Sequence, residues 1–209
     1  MSALNKACEW IAKVAYLNLL WVGLSMSGLI IAGLFPATAA TFAVVRKWLT
    51  GYSDISITKT FWQTYRQSFL GANVLGYLFV VVAYILYLDF LFINVAPNDY
   101  VLVLTIPFLF VSILLGLTFL YVFPVYVHFE MNIRDVIKSA FFIMVLNPGK
   151  TIMMTLGVFG IIAGIWKFQG LALFFSMSLL AIASMFPALR AFSNINGKKN
   201  YLKNKNVYQ

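Results

Sequence analysis

Charge-free apolar runs divide this chain into segments of membrane-spanning length. No charged residue lies between Lys13 and Arg46, and a first helical span is predicted over residues 14–35. A second run follows Arg66 and is read as a span near 70–93; a third, within 100–129, has its core at 101–123. The fourth, 151–166, is short and flanked by Lys150 and Lys167, and the fifth fills 168–187. A bilayer core of about 30 Å needs roughly 20 apolar residues as a helix. The fourth falls just short, but its flanking lysines can snorkel to the interface. Lipid offers no partner to an open strand edge, so the spans must be helices. The fold class is therefore all-α: a polytopic membrane protein of about five transmembrane helices in one domain, with a basic, flexible tail over 190–209.

The polar stretches between spans have a pattern of their own. Ile57, Phe61, Tyr65 and Phe69 recur every four residues, with Lys59, Gln63 and Arg66 on other faces. Ile133, Ile137, Phe141 and Met144 form a second stripe, with Arg134, Asp135 and Lys138 off it. Each predicts an amphipathic helix lying in the interface. Phe-Pro occurs at 35–36, 123–124 and 186–187, in each case at the expected end of an odd-numbered span. Proline cannot continue the hydrogen-bond ladder of the helix before it but fits the first turn of a new one. Because Arg46 and Arg134 each follow a Phe-Pro by ten residues, the pattern suggests a parallel two-span repeat, with an axis along the membrane normal.

Orientation follows from the loops. With alternating spans, one side carries Arg46, Lys47, Lys59, Arg66, Arg134, Lys138, Lys150 and the tail bases Arg190, Lys198, Lys199, Lys203 and Lys205. The other carries Lys6, Lys13 and Lys167, together with Asp89 and Asp99. The positive-inside rule then predicts the N-terminus outside and the C-terminus in the cytoplasm. Ala37-Thr38-Ala39 resembles a signal-peptidase site, but the run before it is longer than a signal-peptide core, so the first span is read as retained.

Composition agrees with a lipid solvent. Of 209 residues, 62% are hydrophobic and 10% charged, where soluble domains carry about 25% charged residues; the mean hydropathy is +0.90. The net charge of +9 sits in short inter-span segments, where it reads as topology signal and contact with anionic lipid rather than as a nucleic-acid surface. Cys8 is the single cysteine and His128 the single histidine. No disulfide, multi-histidine metal site or glycine-rich phosphate loop can be assembled. No cofactor and no catalysis are expected. Asp89, His128 and Glu130 lie near span ends and offer no mid-depth proton relay. Asn73 and Asn147 read as helix-end or interhelical hydrogen bonders. Gly28 in the first span, and Gly160 and Gly164 in the fourth, are candidate helix-packing positions, a homo-oligomeric seam being the other use of such spacing.

The stretch from Asn18-Leu19-Leu20-Trp21 through Gly28 to Phe35-Pro36-Ala37-Thr38-Ala39-Ala40 and Arg46-Lys47-Trp48, with Phe61-Trp62 and Phe69-Leu70-Gly71-Ala72-Asn73, resembles the YesL-like family of bacterial membrane proteins of unknown function. The resemblance implies a small plasma-membrane protein encoded beside sugar-uptake transporters and glycan-degrading enzymes. It supplies no catalytic residue. Two functions stay open at this point. One is an accessory or scaffold component that binds another membrane protein, such as a carbohydrate ABC importer, through a cytoplasmic docking surface at Arg46, Lys47 and Trp48. The other is a transporter or channel for a small neutral solute, with a site between repeats.

Overall fold

The computed structural model describes the backbone of residues 3–95 and 98–205 and the side chains of 5–95, 101 and 103–194. Among the described residues all regular structure is helical: α1 (Ala3–Ser27), α2 (Leu34–Leu49), α3 (Ile57–Gln67), α4 (Phe69–Val95), α5 (Asn98–His128), α6 (Ile133–Leu146), α7 (Pro148–Lys167) and α8 (Ala172–Lys205), with one turn of 3-10 helix at Gln169–Leu171. Five stretches are long and apolar enough to cross a membrane: Asn5–Ser27, Phe69–Val95, Val103–His128, Pro148–Lys167 and Gln169–Asn194.

The first predicted span is corrected. Residues 14–35 are not one helix: α1 ends at Ser27, and the chain reverses within six residues before α2 begins. Trp21 Nε1 donates to Thr38 Oγ1, and the Trp10 and Trp48 rings meet edge to face at 5.4 Å, so α2 runs back along α1. Hydropathy could not see this turn, because its residues are as apolar as the helices on either side. Pro36 lies in the first turn of α2, where its missing N–H has no intrahelical acceptor to lose. Arg46 and Lys47 occupy the last turn, where cations suit the helix dipole. Gly51, at φ +100°, then closes the helix: Tyr52 N–H donates to Lys47 C=O and Gly51 N–H to Trp48 C=O, the paired bonds of a Schellman stop. The stretch after Pro36, expected as part of a cytoplasmic segment, is thus the buried central helix of the fold. Ala37, Ala39, Ala40 and Ala43 are all buried in it, small enough to let five other helices approach.

Three hairpins result: α1–α2, α4–α5 and α7–α8. Phe42 stacks on Phe123 and Arg46 reaches Val127, so α2 and α5 run the same way. His128 meets Phe192, and eight residues earlier in each helix Leu120 and Ser184 line one cavity, so α8 runs parallel to α5. These second arms pack together at the centre. Each first arm also leans on the second arm of another hairpin: α4 on α2, α7 on α5 and α1 on α8. The repeating unit is therefore a hairpin, joined to the next by an amphipathic helix, with all copies in one orientation. The Phe-Pro sites do not mark it. Pro36 begins α2, whereas Pro124 and Pro187 lie inside α5 and α8 without ending them.

Both amphipathic helices are present. Phe61 and Tyr65 of α3 are buried as the stripe predicts. In α6 the buried face is Val136, Ala140, Ile143 and Met144, and Phe141 is exposed. Two apolar stripes at helical spacing compete there, and packing on α5 selects the one with the small Ala140. The tail expected to be flexible continues α8 as helix through Lys205, and 206–209 lie outside the described residues.

The even number of arms also corrects the predicted N-terminus. Trp10 lies beside Trp48, so the start of α1 shares a face with Arg46, with the α5–α6 junction and with the C-terminal half of α8. Lys6 and Lys13 move across with it. Fourteen of the fifteen Lys and Arg residues now belong to one face, and only Lys167 to the other.

Candidate functional site

The polar groups that matter gather at three places: the apex of the first hairpin, the middle of α1, and a cleft on the basic face.

At the apex, Leu29 and Ile30 adopt φ of 54° and 63°. This left-handed region is costly for a β-branched residue. Leu29 is 84% exposed, with Ile30 and Ile31 beside it also facing out. The sixteen residues of α2 extend only about 24 Å, while α4 runs on from the level of the apex for eighteen more residues to Val95. The turn therefore lies at hydrocarbon depth, where irregular backbone persists only if its polar groups find partners. They do. Ile30 N–H donates to Ser25 C=O and Ala32 N–H to Gly28 C=O. From α4, Tyr77 OH donates to Ile31 C=O at 2.8 Å and Asn73 Nδ2 to Ala32 C=O at 3.0 Å. Asn73 is thus the interhelical hydrogen bonder that the sequence suggests. Gly28 is needed for a different reason than helix packing: a Cβ there would sit 2.5 Å from the Gly33 backbone.

Asn18 was missed by sequence reasoning. It is fully buried in the middle of α1. Its Nδ2 donates to Leu173 C=O at 2.7 Å, and its Oδ1 accepts from Met177 and Ser178 N–H at 2.9 and 3.1 Å. One side-chain amide thus engages both members of an i, i+4 backbone pair of α8. The available signal was a lone amide within a charge-free span, which lipid tolerates only when it is partnered.

The basic-face cleft, about 730 Å³, lies between the end of α2, α3 and the α5–α6 junction. Arg46, Lys47, Gln67, Glu130, Asn132 and Asp135 line it. The expected docking triplet is divided by the fold. Arg46 donates to the Val127 carbonyl, one of the last carbonyls of α5, and is half-buried. Trp48 is turned inward against Trp10, so it is not surface at all. Lys47 lines the cleft beside it. His128 is wedged between Phe129 and Phe192 at ring distances of 4.6 and 4.7 Å, as a structural boundary residue. Glu130 and Asp89 are both exposed, Glu130 at the cleft and Asp89 near the far end of α4. Asn147 bonds Ile143 C=O and ends α6. Gly160 and Gly164 face open space, with nothing within 4 Å of a Cβ at either. Within α7 the close approach is made instead by Gly157, beside Ala183. Among the described residues, no three His, Cys, Asp or Glu side chains gather where a metal ion could be held.

Three apolar hairpins with paired backbone at lipid depth and charge confined to the ends define a polytopic helical membrane protein. Residues 14–90, which carry Asn18, the apex, Arg46 and Asn73, match the family described as "Protein of unknown function, DUF624". Three proteins of Bacillus subtilis (strain 168) are similar over most of their length. "Uncharacterized protein YesL" is 34% identical over 198 residues, 95% of this chain and 93% of that one. "Uncharacterized protein YteU" is 37% identical, over 85% of this chain and 80% of its own. "Uncharacterized protein YesV" is 33% identical, over 91% of each. The chain belongs to this YesL-like family. No solved structure matches it.

Proposed function

We propose that this protein is a non-catalytic accessory component of the bacterial cytoplasmic membrane, oriented with its basic face and both termini in the cytoplasm, where it engages another membrane protein. One observation carries the reading: accessible polar groups cluster at the basic-face cleft, whereas the cavities at span depth have apolar walls. A pathway for sugars needs several hydrogen-bonding groups along its length, and at mid-depth the Asn18 amide, the Asn73 Nδ2 and the Thr38 and Tyr77 hydroxyls are already spent on contacts within the fold. The docking surface is redrawn around Lys47, Gln67, Glu130 and Asp135, with the exposed Trp62 of the adjoining α3 as its apolar anchor. The bias of bases to one face supports the orientation, and the genomic setting implied by the family resemblance makes a carbohydrate ABC importer the expected partner.

The test is a mild-detergent pull-down of tagged protein at native expression, read by mass spectrometry, alongside Lys47→Glu and Trp62→Ala. A transporter subunit recovered near stoichiometrically and lost in both variants is the expected result. Recovery of the chain alone, together with sugar flux in vesicles of the purified protein, would overturn the accessory reading.

A further inference from the structure

Between the three hairpins lies a second cavity, about 360 Å³, whose walls come from all of them. Trp21 and Phe42 face it from the first hairpin, Phe123 from the second, and Val158 and Leu180 from the third. It exists because α7 and α5 are joined only at one end. The Tyr121 hydroxyl and Thr151 Oγ1 meet at 3.1 Å. Beyond that contact the helices part, leaving Val158 and Ile162 along the gap. The flank of α7 beside the gap is lipid-facing surface, with Phe159 and Ile162 exposed. The gap therefore connects an aromatic-walled interior to the hydrocarbon phase.

We propose that this cavity is a binding site for one hydrocarbon chain of a membrane lipid, acyl or prenyl, which enters sideways between α5 and α7. An empty space of this size forfeits packing contacts around its whole lining, and at this depth the solvent that can fill it is lipid chain. The depth is set by the lining itself. Ser184 lies eight residues before Phe192, which marks the basic face, and Met177 seven residues earlier still. At 1.5 Å per residue they lie about 12 and 22 Å from that face, so the site straddles the middle of a hydrocarbon core of about 30 Å. The walls suit a chain and not a headgroup. The Thr38 hydroxyl is occupied by Trp21 and Leu34, and the buried Ser184 is the one other polar side chain in the lining. The charged groups that a headgroup would need are those of the basic face.

Trp21 supplies the test. In the full chain with Trp10, Trp48, Trp62 and Trp166 replaced by Phe, Trp21 fluorescence is measured in vesicles of phosphatidylcholine with and without bromine atoms at mid-chain. Bromine quenches indole only on contact, so a seated chain quenches Trp21. Val158→Phe and Leu180→Phe fill the cavity and should remove most of that quenching while leaving the thermal midpoint unchanged or raised. Unquenched Trp21, or quenching equal in parent and filled variants, overturns the proposal. So does quenching that appears only when the protein is diluted in lipid, since a second copy of the chain would then be the occupant at higher density.

Discussion

Removing the Asn18 amide is the sharpest test of how α1 is tied to α8. Three hydrogen bonds of 2.7, 2.9 and 3.1 Å converge on a side chain with no exposed surface. Interhelical hydrogen bonds in membranes average about 0.6 kcal/mol each and reach about 1.7, so three give about 2 kcal/mol before relaxation. Relaxation lowers this figure, because Leu173 C=O and Met177 N–H form an i, i+4 pair and can bond to each other once the amide has gone. Asn18→Leu keeps most of the volume, so no large cavity contributes, and a loss of about 1–2 kcal/mol is expected. For a chain of this size that is a drop of roughly 2–8 °C in thermal midpoint. Asn18→Asp should be worse, since a carboxylate cannot donate to Leu173 C=O and would be a charge within the span. The assay is thermal unfolding in mild detergent, followed by tryptophan fluorescence. Asn18→Leu melting at or above the parent would refute the reasoning, because the amide would then contribute nothing that re-pairing does not replace.

Other consequences follow from the first hairpin. Gly28→Ala places a methyl 2.5 Å from the Gly33 backbone, which has no flexible end to move aside. Loss of folded protein on size exclusion is expected, whereas Gly160→Ala, at an open site, should elute as the parent does. Asn73→Ala and Tyr77→Phe each leave an apex carbonyl unpaired in hydrocarbon and should each lower stability by about 0.6–1.7 kcal/mol; no change in thermal midpoint for either would mean that the apex lies in water. Cys8, the single cysteine and exposed, reports orientation without engineering. A membrane-impermeant maleimide should label it in inverted vesicles and not in intact cells, and the reverse result would place the basic face outside.

The sequence by itself settled what depends on composition and local periodicity. Runs of apolar residues without charge announce a lipid solvent whatever their neighbours, and they located α4, α5 and α7 within a few residues and the first half of α8. The four-residue spacing of Phe61 and Tyr65 likewise foretold α3. Tertiary structure alone decided where the chain turns back. The apex Leu29-Ile30-Ile31 is as hydrophobic as a helix interior, and what makes it a turn is the close approach of Gly28 to Gly33 and the two donors that α4 brings to its carbonyls. That one reversal moved Lys6 and Lys13 to the other face, drew residues 36–48 from a cytoplasmic segment into the centre, and turned Trp48 inward from the expected docking surface. Asn18 was hidden for the same reason. An amide in an apolar run signals that it has a partner, but the partner, 155 residues away on α8, is set by the packing of helices and not by anything nearby in the chain.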